Sequence, residues 1–195
     1  MGRSPKARDA ILEAARHIVR ERGAGNLTFE ELVQHSGVTR GGITYHFATK
    51  DTLLRALVET DLEQWRELEE QLKPDIADEG SAELVAHIRC WTEADEDKRR
   101  YVTGMLSAVT LDHALLDPVR AFEKARRGDI DWDDRRLREQ LLRLASEGLF
   151  WSELFACSQL PPDVRARLVA LMERLAHAWT GVDAAHGVGT EPADG

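Results

Sequence analysis

Arg40, Thr44, Tyr45, His46 and Lys50 lie close together in the chain, interspersed with two glycines, Gly41 and Gly42, three apolar residues, Ile43, Phe47 and Ala48, and Thr49. Arg40 carries a planar fork of N–H donors that matches the O6 and N7 acceptors of guanine in the DNA major groove. Thr44 offers a methyl that suits a thymine methyl and a hydroxyl that suits a phosphate. Lys50, at a helix start, places an ammonium beside backbone N–H groups that already favour phosphate. Gly41 and Gly42 have no side chains, so the backbone can approach a groove closely, at a cost in helix propensity. Groups of this kind suit recognition of a nucleic acid better than the breaking of bonds. The chain has no Gly-rich phosphate loop, no nucleophile elbow and no HExxH pattern. No metal-site spacing occurs either, so no catalytic residue, cofactor or metal is expected.

The elements that must hold these residues follow from local signals. Thr28 caps a first short helix, and Glu31 is spaced to complete a capping box. Leu32 and Val33 give that helix an apolar side. His35-Ser36-Gly37 follows, with Gly37 free to take the positive φ of a sharp turn. Thr39 caps a second helix of about two turns. Its outward positions are Arg40, Gly41, Thr44 and Tyr45, while Val38, Ile43 and Phe47 point inward. A helix, a glycine turn and a second short helix make a helix-turn-helix, whose second helix enters the major groove. A preceding helix over Pro5 to Arg22, with Ser4 as N-cap, carries Ile11, Ala15, Ile18 and Val19 at helical spacing and ends at Gly23 and Gly25. Thr49 caps a long helix from Lys50 to Leu72, striped by Leu54, Val58, Leu62, Trp65, Leu68 and Leu72 and ended by Pro74.

The chain has 195 residues and a net charge of −9, which is unpromising for a DNA partner until it is divided. Residues 1–55 hold nine Lys and Arg against six Asp and Glu, a net of +3, and the remainder holds seventeen against twenty-nine, a net of −12. Positive charge sits with the helix-turn-helix, and the acidic remainder suits a domain facing away from DNA. Arg3, Lys6 and Arg8 make the first helix basic at its start, which fits either a phosphate-touching arm or a solvated surface. No apolar run approaches a membrane span, and the N-terminus carries charge where a signal peptide needs an apolar core. Cys90 and Cys157 are expected as small buried residues of a cytoplasmic chain.

The rest reads as helix throughout. Ser81 is expected to cap a segment through Trp91. Asp97 to Leu111 follows, then a helix opened by Asp117-Pro118, and then an acidic loop around Trp132. One further helix runs from about Arg135 to Ala156, and another starts at Pro161-Pro162. No segment alternates with the two-residue period of a strand, so the expected fold is all-α with about nine helices. Residues 1–50 form the DNA-binding head, continuing into the long helix 50–72. Residues 51–180 form a larger helical domain, and 181–195 are expected to be disordered. In the last two helices Leu141, Ala145, Gly148 and Ser152, and then Leu168, Leu171 and Leu175, each mark one face. The small residues among them admit another helix, in a monomeric hairpin or across a dimer.

GVTRGGITYHFATKDTLLRAL resembles the DNA-binding head of the tetracycline-repressor (TetR) family of bacterial regulators. The resemblance rests on the turn Gly37-Val38, the His46-Phe47 pair, Lys50 three residues after Phe47, and Leu53-Leu54, and it covers about Ala10 to Leu57. The family pattern has an aromatic residue two positions before the His and a Thr two before that; here Thr44 and Gly42 stand there. The resemblance implies that Thr28, Tyr45, His46 and Lys50 hold phosphates, and that Thr39, Arg40, Gly41 and Thr44, with Gly42 beside them, face base edges. A histidine packed between head helices remains the other reading of His46, and a structural role the other reading of Tyr45. It implies a homodimer through a four-helix bundle of the last two helices, reading a palindromic operator in double-stranded DNA. It also implies a small-molecule effector, expected to be largely apolar, among helices of the second domain. Trp91, Tyr101, Met105, Phe122, Trp151 and Phe155 are the candidate lining, each also readable as plain core. Asp112, His113 and Glu147 are candidates for orienting a polar or cationic group. The expected activity is ligand-released repression. An activator, or a dimeric DNA-binding protein without an effector, is the alternative.

Overall fold

The structure, a computed structural model, describes residues 4–128, 131–157 and 159–180; the side chains of Ser4, Pro5 and Thr180 are not among those described. The tail expected to be disordered, Arg3 and the capping side chain of Ser4 therefore lie outside the described residues. Among these residues there are nine α-helices and no strand. They are α1 (Ser4–Arg22), α2 (Phe29–Ser36), α3 (Arg40–His46), α4 (Lys50–Gln71), α5 (Glu79–Thr92), α6 (Glu96–Leu111), α7 (Asp117–Arg127), α8 (Asp134–Leu154) and α9 (Pro162–Thr180). The all-α expectation, with its helix-turn-helix head, is what the structure shows. No helix among the described residues is long and apolar enough to cross a membrane.

The chain divides into two compact units, 1–67 with 94–129, and 68–93 with 130–195. The first unit therefore includes α6 and α7, which the sequence pattern places with the C-terminal helices. The reason is a close approach of α1 and α6. A Cβ added to Gly104 would lie 2.2 Å from the carbonyl oxygen of Val19, so only glycine lets the two backbones meet there. Around that contact Ile11, Ala15, Ile18 and Val19 of α1 bury against Leu53, Leu54 and Leu57 of α4 and Tyr101 and Met105 of α6, in one core with Leu32, Ile43 and Phe47. The Tyr101 hydroxyl donates to the Leu57 carbonyl at 3.3 Å. Burial, helped by the nearby Asp61 carboxylate, holds its phenol well above the ordinary value.

A shared carboxylate ties the same three helices. Asp61 of α4 accepts from both terminal nitrogens of Arg16 at 3.2 Å, from Lys98 Nζ at 3.4 Å and from Trp65 Nε1 at 3.1 Å. Arg16 also stacks 4.2 Å from the centre of the Tyr101 ring, and Lys98 lies 4.3 Å from that of Trp65.

In the second unit α5 packs on α8 and α9 through Leu84, Val85, Ile88, Leu142, Leu149, Met172 and Ala176. Arg89 pairs with both oxygens of Glu173 at 2.8 and 3.2 Å, and Arg165 bridges Glu153 and the Thr92 carbonyl. Three local expectations need correction. Asp78, not Ser81, caps α5: its carboxylate accepts from the Ser81 N–H at 2.8 Å, and Ser81 itself is buried. Glu31 does not close a capping box, because its carboxylate is drawn to Arg22 of α1. Cys90 is buried as expected, but Cys157 is exposed just beyond α8.

Gly104→Ala is expected to lower stability by on the order of 1–3 kcal/mol through overpacking against backbone. Gly25→Ala, where an added Cβ meets nothing within 4 Å, should leave the melting temperature near that of the parent. Thermal unfolding of the two variants checks this, and equal melting temperatures would show that the close contact does not constrain the fold.

Candidate nucleic-acid interface

Two caps set the α2–turn–α3 unit. Thr28 Oγ1 accepts from the Glu31 N–H at 3.2 Å, and Thr39 Oγ1 accepts from the Gly42 N–H at 3.2 Å. Between them Gly37 takes φ 67° and ψ 7°, a left-handed conformation that closes α2 and costs glycine little. Ser36 stiffens the turn by donating to the Leu32 carbonyl at 2.6 Å and accepting from the Val38 N–H at 3.1 Å. Ile43 and Phe47 are buried and anchor α3 to the head core.

With that face fixed inward, the opposite one is open. Thr28, Thr39, Arg40, Gly41, Thr44 and Tyr45 are all exposed, Tyr45 to 81%. Burial in the head core therefore does not account for Tyr45, whose ring meets that of the neighbouring His46. Thr44 Oγ1 donates to the Arg40 carbonyl at 2.9 Å, leaving its oxygen lone pairs and its methyl for an outside partner. The two glycines separate. Nothing lies within 4 Å of a Cβ added to Gly41, whereas one added to Gly42 would meet Val38 Cγ1 at 2.8 Å. Gly41 therefore opens the outer face, and Gly42 lets α3 settle on the turn.

His46 is half-buried, its ring edge-on to Tyr45 with centroids 5.2 Å apart and tilted against Phe47 at 6.5 Å. Lys50 Nζ donates to the Gly25 carbonyl at 3.1 Å, which holds the ammonium at the start of α4. Thr49 caps α4, accepting from the Thr52 N–H at 3.2 Å. Two features escaped the sequence pattern. Arg8 of α1 lies 5.7 Å from the centre of the Phe47 ring, which brings one basic residue of the N-terminal helix to the end of α3. Arg40 forms an ion pair with Glu30 of α2.

The six candidate effector residues divide between the units. Tyr101 and Met105 are buried in the core of the first, and Phe122 of α7 is half-buried with Arg66 5.3 Å from its ring centre. In the second unit Trp91, Trp151 and Phe155 form a ladder with Phe150. Trp91 meets Phe150 edge-on at 5.2 Å, and Trp151 stacks on Phe155 at 5.9 Å with 17° between planes. Phe155, the last rung, is 54% exposed. Glu147 lies 3.3 Å from Nε2 of His87, whose Nδ1 meets Glu69 at 3.1 Å. Asp112 is occupied as a cap, accepting from the Ala114 N–H at 2.9 Å, and His113 is exposed. An open groove of about 530 Å³ between α1 and α2, lined by His17, His35, Arg16 and Arg20, contains none of the six.

On α8 and α9 the candidate interface residues are divided by depth. Leu141 and Leu171 are exposed, at 57% and 42%, as are Ala145 and Gly148, while Ser152, Leu168 and Leu175 are half-buried. Leu137 and Leu144 extend the bare α8 face.

A three-helix head with a capped helix-turn-helix, its second helix bare on the outer side, defines a helix-turn-helix transcriptional regulator. Residues 11–57 match the sequence profile described as "Bacterial regulatory proteins, tetR family", and residues 83–177 match "Tetracyclin repressor-like, C-terminal domain". The chain belongs to the TetR family, whose members are DNA-binding regulators and not enzymes. It is 32% identical over 59 residues to the HTH-type transcriptional regulator YfiR of Bacillus subtilis (strain 168), covering 30% of this chain and 29% of that one. It is 38% identical over 53 residues to the HTH-type transcriptional repressor BepR of Brucella suis biovar 1 (strain 1330), covering 27% and 25%. The match thus spans under a third of the length of either relative. Two solved structures share the fold. The regulator SCO7518 of Streptomyces coelicolor A3(2) has a TM-score of 0.68 at 18% identity, over 90% of this chain and 99% of that one. A TetR-family regulator from Mesorhizobium loti has a TM-score of 0.66 at 16% identity, over 92% and 97%.

Proposed function

We propose that the chain is a cytoplasmic, homodimeric repressor that holds a palindromic operator and releases it when a small, largely apolar molecule binds among its C-terminal helices. The observation that carries this reading is the two-sided α3. Ile43 and Phe47 fasten one side, and Arg40, Gly41, Thr44 and Tyr45 stand in water on the other. Arg40 and Thr44 then contact base edges, with Thr39 beside them at the helix start and Gly41 admitting the backbone. Thr28, Tyr45, His46 and Lys50 hold phosphates, joined by Arg8 from α1. Phosphate contacts set the register, and the α3 side chains read the sequence.

A dimer is supported by the bare faces of α8 and α9. Each helix buries one side in its own unit, Leu142 and Leu149 on α8 and Met172 and Ala176 on α9. Each leaves a second apolar stripe uncovered, which a two-fold partner can cover isologously. The exposed Ala145 and Gly148 admit close helix packing. Support for an aromatic effector wall comes from the ladder of Trp91, Trp151 and Phe155, since Tyr101 and Met105 are already packed in the head core. Ligand binding acts by favouring head arrangements that no longer match the operator.

Operators selected from random duplexes, followed by a screen for small molecules that release them, test this reading. Release by a ligand distinguishes it from an effector-independent binder. On a selected operator, Arg40→Ala is expected to cost on the order of 1–3 kcal/mol and to relax base preference at one position per half-site. Lys50→Ala should weaken all sequences alike and reduce the salt slope by about one for each phosphate it neutralises. Uniform weakening by the first, or an unchanged slope for the second, would exchange or remove their roles. Leu141→Glu combined with Leu171→Glu is expected to give a folded monomer by sedimentation with helical content retained. A persistent dimer would move the interface elsewhere.

A further inference from the structure

Glu30 places a carboxylate on the face where the head must meet a polyanion. It stands in the first turn of α2, and its carboxylate pairs with the guanidinium of Arg40, the first residue of α3. The pair bridges the glycine turn, and Arg40 Cζ lies 5.9 Å from the centre of the Phe29 ring. Both partners are open to water, with 67% of the Arg40 side chain and 66% of that of Glu30 exposed. The carboxyl is held below its ordinary pKa, first by a backbone hydrogen bond and then by Arg40, so it is ionised at neutral pH. A pair so exposed adds little to folding. Near DNA its negative charge opposes every phosphate contact around it. Its position therefore needs a reason other than stability.

We propose that Glu30 is a specificity-determining residue, which holds Arg40 back from phosphates and leaves the free edge of its guanidinium for a base. This rests on the reading of Arg40 as a base contact. A guanidinium has five N–H donors, so one edge can engage Glu30 while another remains open. Without the carboxylate, a long flexible arginine reaches the nearest phosphate on any duplex, and binding strengthens without regard to sequence. With it, a phosphate must compete with a carboxylate already in place, and must do so against charge repulsion from that carboxylate. A guanine edge brings two neutral acceptors that meet the open side of the fork without displacing Glu30. The carboxylate thus lowers affinity for random DNA more than for the operator.

The test measures dissociation constants of the full chain for a selected operator and for a random duplex of equal length. It compares the parent, Glu30→Gln, Arg40→Ala and the double variant. Glu30→Gln is expected to tighten binding to the random duplex by about five-fold, the scale of an exposed ion pair, and to the operator by less, so that the operator-to-random ratio falls. In the Arg40→Ala background the same substitution should leave the ratio unmoved. Equal tightening on both duplexes would reduce Glu30 to a general charge effect and overturn the proposal. A change in ratio that persists without Arg40 would also overturn it, because Glu30 would then be reading a base itself. Both residues are exposed, so unaltered melting temperatures confirm that the variants are folded. A parent protein that fails to discriminate between the duplexes would contradict the regulator reading itself. Discrimination by the parent with a ratio unmoved by Glu30→Gln would contradict the role of Glu30 alone.

Discussion

The carboxylate of Asp61 is the joint on which the first unit depends. It gathers Arg16 from α1, Lys98 from α6 and the Trp65 indole from its own helix α4, all within 3.4 Å. Asp61 is largely shielded from water, with 15% of its side chain exposed, and the Lys98 ammonium beside it has 10%. Charges this shielded are costly to leave without partners, so the cluster specifies which helices may lie together. Gly104 acts in the same place by shape, since any larger residue would push α6 off the Val19 carbonyl. Between them the joint and the close contact weld α1, α4 and α6 into one body.

That body gives the helix-turn-helix a rigid backing. Ile43 and Phe47 bury into its core, which fixes the rotation of α3 about its own axis and hence which residues it turns outward. A short helix of two turns has little stability of its own. Its order comes from the Thr39 cap, the Gly37 turn and those two anchors. The open face is consequently made of exposed side chains held by local contacts, the Thr39 cap, the Thr44 bond to the Arg40 carbonyl and Tyr45 against His46, and Arg40 among them is tethered to Glu30 of the neighbouring helix. Positive charge is concentrated in the first 55 residues of an otherwise acidic chain, so long-range attraction and local fit favour the same surface.

Local signals were the legible ones. Thr28 and Thr39 are caps in the structure because capping needs only the next three residues, and Gly37 is the turn because φ there is positive. Where two groups compete for one local role, sequence was less decisive. Asp78 displaces Ser81 as the cap of α5, and Glu31 turns to Arg22 instead of its own helix start. Tertiary choices were not legible at all. Tyr101 and Met105 carry the same apolar pattern whether they line a pocket or pack under α1, and it is tertiary contacts, Gly104 against Val19, Lys98 on Asp61 and Tyr101 on the Leu57 carbonyl, that place them in the first unit. The Glu30–Arg40 pair crosses a turn, so its ten-residue separation has no helical or strand period to announce it. Leu141 with Ala145 and Gly148 is legible as a face of α8 from spacing, but that Leu142 and Leu149 cover the other side while Leu141 stays bare is seen only in the packing.

If the welded head and the bare faces of α8 and α9 act together, two copies of α3 must present the same residues to DNA about a two-fold axis. Selection of bound sequences from a random duplex pool by the full chain tests this most directly. A two-fold dimer is expected to enrich an inverted repeat whose half-sites lie about one helical turn, or a multiple of it, apart. Recovery of no preferred sequence, or of a single unrepeated site, would contradict it.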